Sequence, residues 1–247
     1  MIHVNRFRAK PYNCPMVDKP QRDRADGHLD VLGSIPAEYR HAVLQQCERR
    51  VLQKGGIIWS QGEPADYVAF LSSGRVMSSY QSRNGRTGTT GFWGPGDLLG
   101  AADLGSPTVR QMTVRCLEPC VINTLSIDRF NSLVRRFPEV AQAIIRALSI
   151  RLRWVAHLAV SLETQSASGR ICTVLLALSE RFAHPSGQGM VIDLKLTNED
   201  LAAIAGVTRQ FANATLGDLK RRGLLQPRRG ALIVTDVAAL EALAFQR

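Results

Sequence analysis

Between Leu194 and Asn213 the sequence carries its strongest local instructions, and they specify two short helices joined by one turn. Thr197 is placed to cap a helix start, with Asp200 three residues on in the reciprocal position of a capping box. Leu201, Ile204 and Ala205 supply an apolar face. Gly206 then permits the dihedrals of a sharp turn, and Thr208 offers a second N-cap, so the second helix is expected to begin at Arg209. Phe211, Thr215, Leu216 and Leu219 follow helical spacing and are expected to face the domain core. That leaves Arg209, Gln210 and Asn213 near the exposed helix start. Arginine matches the two acceptors of guanine, glutamine or asparagine pairs with adenine, and the start of such a helix is the part that enters a major groove. An ordinary helical hairpin with a polar end has the same periodicity. The coincidence of two caps, a turn glycine and base-reading side chains favours double-stranded DNA as the partner.

The following residues extend that reading. Lys220, Arg221 and Arg222 close the helix directly before Gly223, where cations suit both the helix dipole and a phosphate backbone. Leu224 to Val234 reads as a short hairpin with Arg228 and Arg229 at its tip. The unit is therefore expected to be a winged helix-turn-helix, with Thr208, Lys220, Arg221, Arg222, Arg228 and Arg229 against the DNA backbone.

The chain of 247 residues carries 31 Lys and Arg against 21 Asp and Glu, a formal charge of +10 that favours polyanion partners. Part of the excess lies in residues 1–28, where Pro11, Pro15 and Pro20 and a lack of periodicity predict a poorly ordered basic tail. No apolar run reaches the ~18 residues of a membrane span, so a cytoplasmic protein without membrane contact is expected. Five cysteines form no disulfide framework. Cys116 and Cys120 have three residues between them and no histidine near, which fits strand-end thiols better than a metal site and leaves a reversible thiol switch as the alternative. No phosphate loop, zinc-spaced histidines or nucleophile elbow is visible, so neither catalysis nor a metal or other cofactor is expected.

Upstream, residues 35 to 50 read as a helix, with Pro36 early and Tyr39, Val43, Leu44 and Cys47 on one stripe. From Val51 to about Leu125, short apolar runs alternate with glycine turns, as in a compact antiparallel barrel or roll. A long helix from Pro138 to about Thr164 follows. Its Ile144, Leu148, Arg151, Val155, Leu158 and Leu162 step by four and three, a seam that predicts a homodimer with Arg151 setting register. Packing on its own roll is the competing account. Ser166 to Gly169 reads as a hinge. The predicted fold class is α+β: tail 1–28, roll with flanking helices 29–137, dimerisation helix 138–165, and winged helix-turn-helix 166–247.

This order, with Gly62-Glu63-Pro64-Ala65-Asp66, Ser73-Gly74-Arg75-Val76, Gly96-Asp97-Leu98-Leu99-Gly100, Gly169-Arg170-Ile171 and Val207-Thr208-Arg209-Gln210, resembles the Crp/Fnr superfamily of bacterial transcription regulators. The resemblance implies a cyclic-nucleotide-binding-type β-roll, a homodimer through the long helix, and a two-fold symmetric promoter site where RNA polymerase is recruited or blocked. It also shows departures. Cyclic-AMP-binding relatives carry glycine-glutamate where this chain has Gly100-Ala101, and arginine-serine where it has Arg110-Gln111. Adjacent hydroxyl residues on the long helix are replaced by Val155 and Ala156. Ala101 cannot accept a ribose hydrogen bond, a loss worth ~1.5–3 kcal/mol at a buried site. Cyclic AMP is therefore not the expected effector. Arg110 is left to another anion or to Asp97 or Asp103, and an apolar effector between Trp154, Val155 and the roll, or none, fits the residues. Only Cys14 stands where the iron–sulfur branch clusters cysteines, and His157 lies off the seam. In the reader, Ala214 replaces a second arginine, which predicts a changed operator sequence. A cyclic-nucleotide-gated regulator with an atypical pocket and a sequence-indifferent architectural DNA binder are the alternatives.

Overall fold

The computed structural model describes residues 30–85, 87–104 and 109–245; the tail expected over 1–28 lies outside the described residues. The first helix, α1, covers Ala37–Gln45 and gives way to strand β1 at Glu48–Leu52. The helix expected over 35–50 is thus cut short, and Cys47 falls beyond it. The reason is tertiary: Glu48 to Leu52 pair residue by residue with Thr124 to Cys120, a ladder that a local charge-rich pattern does not announce.

Seven further strands complete the roll: β2 Ile57–Trp59, β3 Tyr67–Ser73, β4 Val76–Gln81, β5 Thr87–Trp93, β6 Leu98–Leu99, β7 Thr113–Cys116 and β8 Cys120–Ser126. They form two four-stranded antiparallel sheets, ordered β1-β8-β3-β6 and β2-β7-β4-β5. β3 is apolar without alternation because both its faces are covered. Ala69 and Leu71 join Trp59, Val114 and Ile122 inside the roll, whereas Val68 and Phe70 meet Ile35 and a helical layer containing Phe130, Leu133 and Ile144. That layer comprises α1, α2 (Ile127–Arg136) and the start of α3 (Pro138–Thr164).

Proline at its first turn suits α3, whose unbroken run matches the periodic stretch in the sequence. The faces of α3 differ from the expected seam. Ile144 is buried against the roll, Arg151 turns inward to Trp93, and Leu158 packs beside the DNA-reader core. The apolar row that faces outward is Ile145, Leu148, Leu152, Val155, Ala159 and Leu162, also stepping by three and four, with Leu152 70% exposed and Ile145 61%. Two overlapping apolar rows run along this helix, and packing of Val140, Ala143 and Ile144 into the roll decides which one is left outside.

The hinge is shorter than expected: α4 (Ala167–Phe182) starts directly after Ser166, whose hydroxyl accepts the Gly169 N–H at 3.1 Å. A hairpin of β9 (Ala183–Ser186) and β10 (Gly189–Ile192) leads to α5 (Asn198–Ala205) and α6 (Arg209–Arg221). β11 (Leu225–Arg228), β12 (Ala231–Val234) and α7 (Val237–Ala244) finish the unit, with strands ordered β11-β12-β10-β9. Roll and reader are packed together. Phe92 of β5 lies in the core of the reader with Leu175, Leu201 and Ile204, and Arg75 meets Asp193 across the boundary at 3.2 Å.

Candidate nucleic-acid interface and ligand pocket

The helix pair forms as its caps dictate. Thr197 Oγ1 accepts the Asp200 N–H at 3.1 Å, and the Asp200 carboxylate accepts the Thr197 N–H at 2.9 Å. Gly206 closes α5 at φ +63°, and a Cβ there would sit 2.9 Å from Leu162 of α3, so both conformation and space ask for glycine. Thr208 Oγ1 accepts the Phe211 N–H at 3.2 Å and sets the phase of α6. With that phase, Ala212, Leu216 and Leu219 face the core.

Phe211, expected in the core, is instead 41% exposed on the reader surface. The small side chain of Ala212 occupies the inward position and lets α6 approach α5 closely, a choice of fit over hydrophobicity.

Arg209, Gln210 and Asn213 are exposed at the start of α6, and all three are reached from that end. Arg209 stands 4.0 Å from Glu199, with both side chains more than two-thirds exposed, and Asn213 accepts a 2.6 Å hydrogen bond from Asn198. Both partners belong to the first turn of α5, and such surface contacts are worth only ~0.2–1 kcal/mol. At the other end, Arg221 and Arg222 share Asp218 at 3.2 and 3.7 Å, while Lys220 is exposed. Arg228 and Arg229 are exposed at the tip of the β11–β12 hairpin, beside Gly230.

Arg170 stands in the sequence only as part of the Gly169-Arg170-Ile171 motif. Its guanidinium donates to the carbonyls of Ala205 at 2.7 Å, Gly206 at 3.2 Å and Gln165 at 3.3 Å. One cation therefore caps the C-terminal end of α5 and holds the segment that follows α3.

The pocket residues divide. Gly100, Ala101 and Val155 line a cavity of about 480 Å³ where roll, α3 and reader meet, but Arg110, Gln111 and Ala156 are not among its walls. Arg110 is 1% exposed, 3.2 Å from Asp103, donates to the Tyr67 carbonyl, and stacks on Trp59 at 3.9 Å and Tyr67 at 4.8 Å. Its charge is answered inside the protein. Gln111 is exposed and bonds the Val109 carbonyl at 3.1 Å, and Ala156 faces outward on α3.

Asp97 is paired with Arg181 of α4 rather than with Arg110, and its carboxylate also accepts the Gly94 N–H at 2.7 Å. Burial pushes the Asp97 carboxyl up, against the pull of Arg181 and the Gly94 N–H. Arg151 donates to the Thr90 carbonyl at 3.3 Å and lies over Trp93 at 4.2 Å and Trp154 at 4.8 Å. Burial and the nearby Arg181 bring its pKa down to about 10, with Asp97 opposing.

Cys116 and Cys120 are both 1% exposed, and the Cys120 thiol bonds the Glu118 and Arg75 carbonyls at 3.2 and 3.4 Å. The hydrogen bond between the two thiols, with burial, pushes Cys116 up, and the same bond draws Cys120 down. Among the described residues no cluster of His, Cys, Asp or Glu is arranged to hold a metal ion, and no helix is long and apolar enough to cross a membrane.

Comparison with known proteins agrees with this architecture. Residues 49–137 match the cyclic nucleotide-binding domain family and residues 169–243 the Crp-like helix-turn-helix domain family. The chain is 28% identical over 213 residues to the cyclic AMP receptor protein of Thermus thermophilus, covering 86% of this chain and 95% of that one. It is 25% identical over 195 residues to a CRP-like cAMP-activated global transcriptional regulator of Mycobacterium tuberculosis, covering 79% and 87%. The structure of the c-di-GMP-responsive global regulator CLP of Xanthomonas campestris superposes with a TM-score of 0.69 at 25% identity, covering 81% of this chain and all of that one. FixK2 of Bradyrhizobium japonicum shares the fold, with a TM-score of 0.69 at 21% identity, over 80% and 96% of the two chains. A nucleotide-type roll joined through a long helix to a Crp-like reader, in a chain similar to these regulators, places the protein in the Crp/Fnr family of DNA-binding transcription regulators.

Proposed function

We propose that the chain works as a cytoplasmic homodimer, without catalytic activity, that binds a palindromic promoter site and acts on RNA polymerase there. In this reading Arg209, Gln210 and Asn213 read base edges, while Thr208, Lys220, Arg221, Arg222, Arg228 and Arg229 hold the DNA backbone. The observation that carries it is the start of α6, where three base-reading side chains stand exposed on a doubly capped helix pair with only weak internal partners. Phe211 adds an exposed apolar surface beside them, suited to a thymine methyl. The outward row of α3 supports the dimer: Ile145, Leu148, Leu152 and Val155 form an exposed apolar strip that steps by three and four, as the seam of a paired helix does.

Cyclic AMP is not the effector in this reading, although relatives in Thermus thermophilus and Mycobacterium tuberculosis are named for it. Here Ala101 offers no acceptor to a ribose, and Arg110 is already engaged by Asp103, Trp59 and the Tyr67 carbonyl. Effectors differ within the family, as the c-di-GMP response of CLP illustrates.

The test is selection of duplexes from a random pool at near-physiological salt, with and without cyclic AMP. One palindrome recovered in both pools is expected. Recovery only with cyclic AMP overturns the effector reading, and equal retention of random duplexes favours the architectural alternative. Leu152→Glu is expected to yield monomers on sedimentation and to lose operator binding; a variant that stays dimeric removes α3 as the seam.

A further inference from the structure

The upper end of the cavity carries two guanidinium groups and one carboxylate. Asp97 is committed to Arg181, and among the described residues no carboxylate lies within 4.0 Å of Arg151. Arg151 has instead the Thr90 carbonyl and the faces of Trp93 and Trp154, which are weaker counterparts for a desolvated cation than an anion is. The remaining wall is mainly apolar, with Met112, Leu148 and Leu158 among its residues, and its polar members are Ser78, Thr89, Thr90 and Asp103, the last already paired with Arg110. Its volume of about 480 Å³ falls within the ~300–1,000 Å³ range of small-molecule sites.

We propose that this end of the cavity binds a compact apolar monocarboxylate, its carboxylate set between Arg151 and Arg181 and its hydrocarbon or aryl body against Trp93, Trp154 and Met112. The proposal rests on the reading of the chain as a regulator whose effector is not cyclic AMP, and it names the chemistry of that effector. A single carboxylate matches the one unanswered positive charge, and a planar guanidinium can donate two parallel hydrogen bonds to it. A dianion would exceed the available charge. Set against Trp93, Trp154 and Met112, a polar body would lose its hydration to side chains that offer it little in return. The site is also placed to act on the reader. Arg181 belongs to α4 and Ile204 to α5, both on the reader side, while Asp97 and Trp93 belong to the roll. A ligand carboxylate that engages Arg181 competes with Asp97 for the contact joining the two parts.

All three tryptophans of the chain, Trp59, Trp93 and Trp154, line this cavity, so their emission reports its occupancy. The full-length protein is titrated with benzoate, phenylacetate, cyclohexanecarboxylate and octanoate, with the primary amide of each, and with cyclic AMP. At least one acid is expected to give a saturable change at a dissociation constant roughly tenfold or more below that of its amide. Arg151→Met should weaken that acid by a similar factor, whereas Arg151→Lys, which keeps the charge, should retain most of the binding. The proposal is overturned if no acid binds up to millimolar concentration, if amides bind as well as acids, or if Arg151→Met binds the acid like the parent protein. The acid–amide comparison stands on the unmodified protein, whatever the fate of the variants. A response to cyclic AMP with none to the acids overturns both this proposal and the exclusion of cyclic AMP. Failure of the operator selection bears on the DNA reading alone.

Discussion

Arginines in the reader and in the pocket are held in opposite ways. Arg209 leans on an exposed Glu199 at 4.0 Å and keeps most of its surface in water, ready to exchange one weak partner for a base edge. Arg110 is enclosed by Asp103, Trp59, Tyr67 and a backbone carbonyl, and its place is fixed before any ligand arrives. An arginine that serves an outside partner has to be cheap to release, and one that serves the fold has to be costly. Arg151 lies between these cases, enclosed like Arg110 yet without a direct carboxylate.

The contrast can be broken at its strongest point first. Asp103→Asn leaves the Arg110 charge buried without its counterion, which is expected to cost ~3–5 kcal/mol in urea unfolding. A loss below about 1 kcal/mol would mean that the two aromatic faces hold Arg110 alone. Arg209→Ala should lose ~1–3 kcal/mol on the selected operator and far less on random duplex, with stability unchanged. Equal losses on both would make Arg209 a backbone contact. Arg229→Ala should weaken binding evenly across sequences and lower the salt dependence by about one unit of slope, whereas a change in sequence preference would move the wing into base reading. Smallest of all is Glu199→Gln: freeing Arg209 should improve operator binding by less than ~1 kcal/mol, and a loss instead would mean that Glu199 positions Arg209 for the base.

The helix pair was legible in the sequence because its determinants are local. Thr197, Asp200, Gly206 and Thr208 act within a few residues of their own positions. What escaped was settled across the fold. Phe211 and Ala212 are neighbours, and only the closeness of α5 decides which faces inward. Likewise α3 carries two apolar rows that share Leu148, Val155 and Leu162, and packing on the roll decides that Ile145, Leu152 and Ala159 rather than Ile144, Arg151 and Leu158 complete the outward one. Asp97 and Arg181 are 84 residues apart and carry no signal of their pairing. In the pocket, the sequence showed what Ala101 and Gln111 lack. It left open whether Arg110 would turn to Asp97 or Asp103, a choice made by the stacking on Trp59 and Tyr67. The β9–β10 hairpin has no clear signal in the sequence although Gly187 and Gly189 flank its turn, because Ala183 to Ser186 is a polar edge strand without alternation.

The three carbonyls gathered by Arg170 have a mechanical meaning. Two of them, Ala205 and Gly206, lie inside the reader and the third, Gln165, follows α3, so the guanidinium that stiffens the helix pair also ties it to α3 by a charge-assisted bond that a swing of the reader has to break. In a dimer, such a joint makes the pair of recognition helices a caliper with a stiff jaw. Adding one base pair between half-sites moves the second target by about 3.4 Å along the duplex and turns it around the axis, and a stiff jaw follows neither displacement. Spacing between half-sites then becomes as strict a part of the operator as the bases themselves.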